Sequence, residues 1–137
     1  MKVILSRKGF DSEYGKAASP IMPDGTLLSL PIPNEDDDIE YEQLRYEEKS
    51  YTQIISELTK GKFLKKKCHL DPDVRKDVFA RPEKWQPAFG QVSAALTHLF
   101  NEGVGKDDLF LFFGWFREVE EVNGKYQYIK GSSHKHI

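Results

Sequence analysis

Short apolar runs alternate with polar, turn-forming segments along the chain, and this pattern predicts several short strands and few helices. Residues 3–5 form the first apolar run and predict a short buried strand. Residues 109–116 form the longest run, interrupted only by Gly114, and predict a central strand that is buried on both faces. Glycine at that position indicates a bulge or a close approach of another group.

Two turn signals predict hairpins. The tripeptide Pro-Asp-Gly at 23–25 lies between two strand-like runs, and proline, aspartate and glycine each favour a turn for a different physical reason. The dipeptide Asn-Gly at 123–124 also separates two strand-like runs and is the strongest short hairpin signal.

Two segments carry the helical spacing of apolar residues. The first helix is predicted at residues 51–60, with Ser50 as its N-cap, Gln53 as the capping-box partner and Gly61 as the stop signal. The second is predicted at residues 90–101, with an apolar stripe that faces the core.

Together these elements predict an α+β fold in a single domain over residues 1–137. A mixed or mainly antiparallel, curved sheet packs against two main helices, with the strand near 109–116 at its centre. The hydrophobic content of 39% and the aromatic content of 12% are typical of a folded globular chain.

Charge is distributed in blocks. Residues 35–48 hold eight acids and one arginine and predict a solvated surface segment. A basic run follows the first helix and consists of Lys60, Lys62, Lys65, Lys66 and Lys67. The two blocks either pair across the surface or form a bipolar face whose basic side meets phosphate. The net charge of −2 argues against a sequence-blind DNA coat.

Other classes of protein are disfavoured by simple features. The single cysteine, Cys68, forms neither an internal disulfide nor a cysteine metal site, and it suits a reducing, cytoplasmic compartment. The first apolar run is too short for a signal peptide, and the longest is too short to span a bilayer. We therefore expect no membrane partner and no metal, and the sequence indicates no particular cofactor.

The first candidate site follows the first strand. Arg7, Lys8, Asp11 and Ser12 lie within a few residues of one another, and Gly9 permits a backbone conformation that other residues resist. Cations, a carboxylate and hydroxyls at the end of a core strand suit an anionic, hydrogen-bonding ligand. The alternative is a solvated turn that holds an ion pair.

The second candidate site lies around Pro72. His69 and Asp71 are two residues apart and would share one side of an extended strand, where they would form an acid/base pair or bind a divalent metal. In the alternative, Asp71 or Asp73 caps a short helix at residues 74–79.

The third candidate lies on the second predicted helix. Gln91 and His98 are seven residues apart and would share one line along the helix, with only small side chains between them. This arrangement leaves room for a flat ligand. The alternative is close helix–sheet packing in which His98 bonds a backbone carbonyl.

Several blocks resemble one known family. The blocks ILSRKGFDS, SPIMPDGTLLSLPIP, HLDPD, FGQVSAALTHL and DLFLFFGWFR, in this order, resemble those of nucleotide modification associated domain 3. The resemblance covers residues 1–33 and 68–117. It implies a role with nucleotides or nucleic acids in phage and bacterial systems that modify nucleotides or DNA bases, without an established reaction.

The chain departs from the family pattern in two places. Residues 13–18 stand where relatives usually have a small, glycine-rich stretch. Relatives also tend to continue with another β-rich segment after a histidine, for which His134 and His136 are the candidates. We therefore expect this chain to lack that segment.

These observations predict that the protein acts on a nucleotide or a nucleic-acid base in one pocket. Arg7 and Lys8 would hold the phosphate, with Ser12 and Asp73 nearby. Asp11 would orient or deprotonate the ligand, and His69 and Asp71 would be acid/base partners. Gln91 and His98 would recognise a base or ribose. One alternative is a non-catalytic module that binds a nucleotide in the same pocket. Another is an interaction protein that uses the acidic segment.

Overall fold

The computed structural model describes residues 1–137 and consists of two α-helices and eleven short strands. The strands are β1 (Val3–Arg7), β2 (Ser19–Ile21), β3 (Ile32–Pro33), β4 (Ile39–Glu40), β5 (Arg45–Tyr46), β6 (Lys49–Ser50), β7 (Lys67–His69), β8 (Leu109–Phe113), β9 (Trp115–Val122), β10 (Lys125–Tyr128) and β11 (Lys135–His136). The helices are α1 (Tyr51–Thr59) and α2 (Ser93–Asn101), and a 3-10 helix spans Tyr41–Gln43. This composition confirms the predicted α+β class, and no sheet closes into a barrel.

The strands form four small sheets with mixed pairing. Strand β9 is the centre of the largest sheet, since it pairs antiparallel with β10 and β11 and parallel with β2. Strand β7 lies between β3 and β4, and β5 pairs with β6. Strands β1 and β8 form a separate parallel pair. The long strand β9 therefore organises the largest sheet, while β8 lies outside it.

One hydrophobic core surrounds α1. Its largest fully buried side chains include Phe10, Met22, Leu28, Tyr41 and Ile54. The Phe10 ring lies 5.3 Å from that of Phe63 and 6.2 Å from that of Tyr41, centroid to centroid. This aromatic cluster joins the N-terminal segment to the 3-10 helix that precedes α1 and to the segment that follows α1.

Helix α1 begins and ends as the sequence predicts, within one residue. The Ser50 hydroxyl oxygen accepts a hydrogen bond from the Gln53 backbone N–H at 3.2 Å, which is the predicted cap. The Gln53 side chain donates instead to Glu57, so the reciprocal half of a capping box is absent. Lys60 then adopts a left-handed conformation before Gly61, and the helix stops.

Both predicted turns are present. The Asp24 side chain accepts a hydrogen bond from the Thr26 backbone N–H at 2.9 Å, and Gly25 has a φ of 87°. Asn123 and Gly124 both have positive φ, as a primed two-residue hairpin turn requires. The turn joins β9 to β10 and confirms the second hairpin.

The predicted central strand at 109–116 divides at Gly114 into β8 and β9. The Cβ of any larger residue at this position would lie 2.7 Å from the Phe116 ring, so the predicted close approach is confirmed. The prediction of burial on both faces is wrong, because Leu109 is 43% exposed and Leu111 is 46% exposed. Strand β8 pairs only with β1, and no further layer covers the face that these side chains share with Val3.

The second helix differs more from its prediction. It begins at Ser93 rather than at residue 90, and none of its residues is buried. Phe100 is 71% exposed, so the predicted core-facing stripe is wrong. Gln91 precedes the helix and therefore does not share a helical line with His98. Neither helix has the length and apolar composition needed to cross a membrane.

The acidic and basic blocks come together through backbone pairing rather than through ion pairs. Strand β4 of the acidic block pairs with β7, which holds the last lysine of the basic run. The Lys66 backbone N–H donates to the Glu35 carboxylate at 3.2 Å. No ion pair joins side chains of the two blocks. Of the two alternatives for these blocks, pairing of their side-chain charges across the surface is therefore not observed.

Replacing Gly15 with alanine should destabilise the fold strongly. Gly15 has a φ of 83°, and an added Cβ would overlap the buried Phe10 ring. We expect the free energy of unfolding to fall by about 2–5 kcal/mol in urea melts, from backbone strain and overpacking together. Gly25→Ala is the matched control, because Gly25 also has positive φ but nothing lies within 4 Å. That variant should lose only about 1–2 kcal/mol, and equal losses would contradict the close contact.

Cys68 should be unreactive in the folded protein. The residue is fully buried, and burial, followed by the negative charge of Asp37, raises the pKa of its thiol to about 12. A thiol reagent at mildly alkaline pH should label it only after denaturation, because the thiolate is the reactive form. Rapid labelling of the native protein would show that β7 opens readily.

Candidate functional site

One cavity, called the main cavity below because candidate residues Lys8, Asp71 and Asp73 line it, has a volume of about 370 Å³, which lies in the range of small-ligand sites. It forms where the end of β1, the β8–β9 junction, the first turn of α1 and the segment after β7 meet. Phe112, Phe113 and Phe116 supply aromatic surface. The polar lining residues are Lys8, Ser29, Tyr51, Asp71, Asp73 and Arg75.

Lys8 and Asp71 form an ion pair at the cavity wall. The Lys8 Nζ lies 3.1 Å from Asp71 Oδ2, and both side chains are less than one-fifth exposed. The Lys8 ammonium also lies over the Phe89 ring, and the Gly90 backbone N–H donates to Asp71 Oδ1 at 3.3 Å. The Lys8 backbone N–H donates to the Phe113 carbonyl oxygen at 2.8 Å, which holds Lys8 beside the end of β8. The pair is therefore positioned by backbone on both sides.

Tyr51 places an unpartnered hydroxyl in the same region. This cavity-lining residue is 1% exposed, and its hydroxyl is buried without a hydrogen-bond partner. Burial, partly offset by the charge of Arg75, raises the pKa of Tyr51 to about 12. The hydroxyl is therefore neutral near pH 7 and able both to donate and to accept. Buried polar groups without partners are rare and costly, so this hydroxyl is a candidate for a ligand contact.

The remaining charged groups at the cavity are bound to partners. Asp73 accepts hydrogen bonds from both terminal nitrogens of Arg81, one of them at 2.7 Å, and Arg81 lies between the Phe79 and Trp85 rings. Arg75 forms an ion pair with the Asp77 carboxylate at 2.8 Å. These contacts hold the cavity wall together.

The turn after β1 has the geometry of the alternative given for this segment, a turn that holds an ion pair. Arg7 and Asp11 form an ion pair at 3.1 Å. Asp11 also accepts hydrogen bonds from the Glu13 and Tyr14 backbone N–H groups at 2.8 and 2.6 Å. Ser12 is exposed in the same turn. None of Arg7, Asp11 and Ser12 lines the main cavity.

His69 and Asp71 do not share one side of a strand. Strand β7 ends at His69, and the Asp71 backbone N–H turns back to the His69 carbonyl at 3.1 Å. His69 Nδ1 lies 2.6 Å from Asp37 Oδ2 on a half-exposed surface, whereas Asp71 pairs with Lys8. No helix follows at residues 74–79, so the alternative in which Asp71 or Asp73 caps a short helix is also wrong.

The structure thus brings together three of the nine candidate residues, namely Lys8, Asp71 and Asp73. Gln91 lies in the loop before α2, and His98 is exposed on that helix. Arg7, Asp11, Ser12, His69, Gln91 and His98 lie outside the main cavity, and their roles with a ligand stay predictions. No group of three or more His, Cys, Asp or Glu side chains is arranged to hold a metal ion.

A family model described as nucleotide modification associated domain 3 matches residues 2–137, which is nearly the whole chain. The chain belongs to this family. The match confirms the resemblance found in the separate sequence blocks and extends it through the acidic and basic middle of the chain. Comparisons with curated proteins and with solved structures give no match.

Sequence reasoning missed Tyr51, the residue of this nucleotide modification associated domain with the clearest sign of a ligand contact. An aromatic residue directly after an N-cap suggests only a packed helix face. Whether its hydroxyl is paired depends on carbonyls from distant segments, and no local pattern reports that. The aromatic run before Gly114 is the available signal for a cavity wall, but its composition is equally typical of a core strand.

Tyr51→Phe should leave the free energy of unfolding unchanged or raise it by about 1 kcal/mol, because the substitution removes a buried hydroxyl that has no partner. Tyr41→Phe is the matched control. The buried Tyr41 hydroxyl donates to the Pro31 carbonyl at 2.6 Å, so that variant should lose about 1–2 kcal/mol. Urea denaturation of both proteins measures the difference, and a loss at Tyr51 as large as that at Tyr41 would indicate a hidden partner.

Proposed function

We propose that this nucleotide modification associated domain binds a nucleotide or a nucleic-acid base in the main cavity. The buried, unpartnered hydroxyl of Tyr51, a residue that lines the aromatic cavity, is the observation that carries the proposal. The family match supports a role in nucleotide modification. The cavity adds a place for the ligand.

The cavity chemistry suits a nucleobase. A planar, partly apolar ring packs against Phe112, Phe113 and Phe116, while its edge presents donors and acceptors to the Tyr51 hydroxyl. A site built to bond such an edge discriminates strongly against ligands that lack it, because its polar group then stays unpaired.

The Lys8–Asp71 pair supplies the polar recognition. Asp71 accepts a hydrogen bond from an exocyclic amine or a ribose hydroxyl, and Lys8 turns toward a phosphate. Because each already has a partner, the cavity stays nearly neutral when empty. The ligand exchanges one set of polar contacts for another, which favours selectivity over raw affinity.

Two activities use this arrangement. In the first, Asp71 acts as a general base or acid on the bound base, and its partly buried position beside Lys8 supports that role. In the second, the chain holds the nucleotide without changing it. The absence of histidine from the cavity lining favours this non-catalytic role. A cytoplasmic location fits both, since the single thiol is free and buried.

Nucleotide binding is tested by titration calorimetry with ribo- and deoxyribonucleoside monophosphates, together with mass spectrometry of small molecules retained on purification. We expect at least one to bind with a Kd below about 1 mM. Tyr51→Phe should weaken it by about tenfold, and Lys8→Met by a similar factor that shrinks at high salt. Lys84→Met and Tyr46→Phe change residues outside the cavity and should have no effect.

The outcomes separate the proposals clearly. Binding that is equal in all four variants would place the ligand outside the main cavity, and failure of every nucleotide and base to bind would contradict the function itself. A chemically altered nucleotide after incubation would favour the enzyme, with Asp71→Asn expected to abolish conversion while it preserves most of the binding. Tight binding without conversion would favour the non-catalytic role.

A further inference from the structure

A second cavity of about 530 Å³ lies away from the first. It is bounded by residues 15–18, the end of α1 and the start of the following segment, and by β9 and β10. Three cationic side chains line it, Lys16, Lys62 and Arg117, and no aspartate or glutamate does. The two cavities share no lining residue.

None of these three cations forms an ion pair with a carboxylate, as is also the case for most lysines and arginines of the chain, but here the three line one cavity. Lys8, Lys49 and Arg81, by contrast, are each paired with an acid. Because the whole chain carries a net charge of −2, a cavity that concentrates unpaired positive charge indicates an anionic ligand.

Arg117 is held in place by neutral groups. Its Nε donates to the Ser132 hydroxyl at 3.0 Å, and one terminal nitrogen donates to the Ile129 carbonyl at 3.1 Å. The guanidinium also lies 5.0 Å from the Tyr128 ring centroid. These contacts orient the group without neutralising its charge, which is the preorganised state that favours anion binding.

Aromatic rings make up much of the remaining lining. Phe63, Trp115, Tyr128 and His134 all contribute. The Trp115 and His134 rings are stacked, with centroids 4.3 Å apart and an interplanar angle of 26°. Planar rings beside a cationic groove are the combination with which proteins hold unpaired nucleotides, since bases stack on the rings while cations hold the phosphates.

We propose that this second cavity is a binding site for a phosphate group with an attached planar base, as in a mononucleotide or one unit of a single-stranded nucleic acid. Lys16, Lys62 and Arg117 bind the phosphate, and the base stacks on the aromatic lining that includes Trp115. The site goes beyond the proposed function and does not depend on it. The proposed site corresponds to one of the two alternatives for the basic run, a basic face that meets phosphate. Lys62 is the residue of that run that takes part in it.

The principal test measures fluorescence anisotropy of a short, 5′-labelled oligothymidylate. The double variant K16Q/K62Q should weaken binding by at least about tenfold and reduce the slope of log K against log salt by up to about 0.7, the value for one lost phosphate contact on a single strand. The matched control K84Q/K106Q removes the same net charge from exposed lysines outside both cavities and should bind within about twofold of the unchanged protein. Thermal melts confirm that both variants fold.

A second measurement reports on the aromatic half of the site. In a W85F background, Trp115 is the only tryptophan, and stacking of a base should quench its fluorescence. Thymidine monophosphate should quench and inorganic phosphate should not. If the Kd of the monophosphate lies within about tenfold of that of the oligonucleotide, the ligand is a single nucleotide. If the oligonucleotide binds much more tightly, the ligand is a single-stranded nucleic acid.

The proposal is overturned if both double variants weaken binding equally, if neither does, or if inorganic phosphate binds as tightly as the monophosphate. An oligoglutamate peptide that binds as tightly as the oligonucleotide would also overturn it in favour of an acidic protein partner. Quenching of Trp115 reports on the second cavity alone, because Trp115 lines that cavity and not the main one. This signal makes failure of the second site distinguishable from failure of the nucleotide site in the main cavity.

Discussion

Burial of Phe10 is the contact on which both cavities depend. Strand β1 is partly exposed, and three residues after it ends the chain enters the core, where Phe10 is fully buried against Phe63 and Tyr41. The Phe10 backbone N–H donates to the Leu30 carbonyl at 2.9 Å, which ties the entry point to a second segment of the chain. Lys8 precedes this anchor and lines the main cavity, while Lys16 follows it and lines the second. Along the chain, the buried Phe10 thus lies between two lysines that line different cavities.

The two cavities differ in how their charge is compensated. Lys8 has Asp71 as a close partner, so the main cavity is nearly neutral and suits a ligand whose recognition depends on shape and hydrogen bonds. Arg117 has only hydroxyl and carbonyl partners, so the second cavity keeps its positive potential. The net charge of the chain therefore says little about phosphate binding, because the local arrangement of partners decides it.

Elements with local causes were predictable from sequence. Helix α1 follows from its cap at Ser50 and its stop at Gly61, and the β9–β10 hairpin follows from Asn123 and Gly124, whose preferred dihedrals suit the turn. The resemblance to the nucleotide modification family also needed only the chain itself. In each case the determining residues lie within a few positions of one another.

Features that depend on distant partners were not predictable. The apolar run at 109–116 has the composition of a core strand, but the number of layers that cover it is a property of the whole fold. Lys8 forms an ion pair with Asp71, which lies 63 positions later in the sequence, and the Tyr51 hydroxyl has no hydrogen-bond partner. His69 was expected to face Asp71, yet it pairs with Asp37, because the end of β7 turns the chain between the two. Convergence at a site is set by tertiary packing, which residue types alone do not encode.

The sparse packing of α2 has a consequence for motion. Because none of its residues is buried, its unfolding exposes little apolar surface and costs much less than unfolding of the core around α1. Amide hydrogens in α2 should therefore exchange with solvent through local opening, while those of α1 are protected until larger units open. Residues 93–101 form a segment that can melt and reform repeatedly while the two cavities and the core between them stay intact.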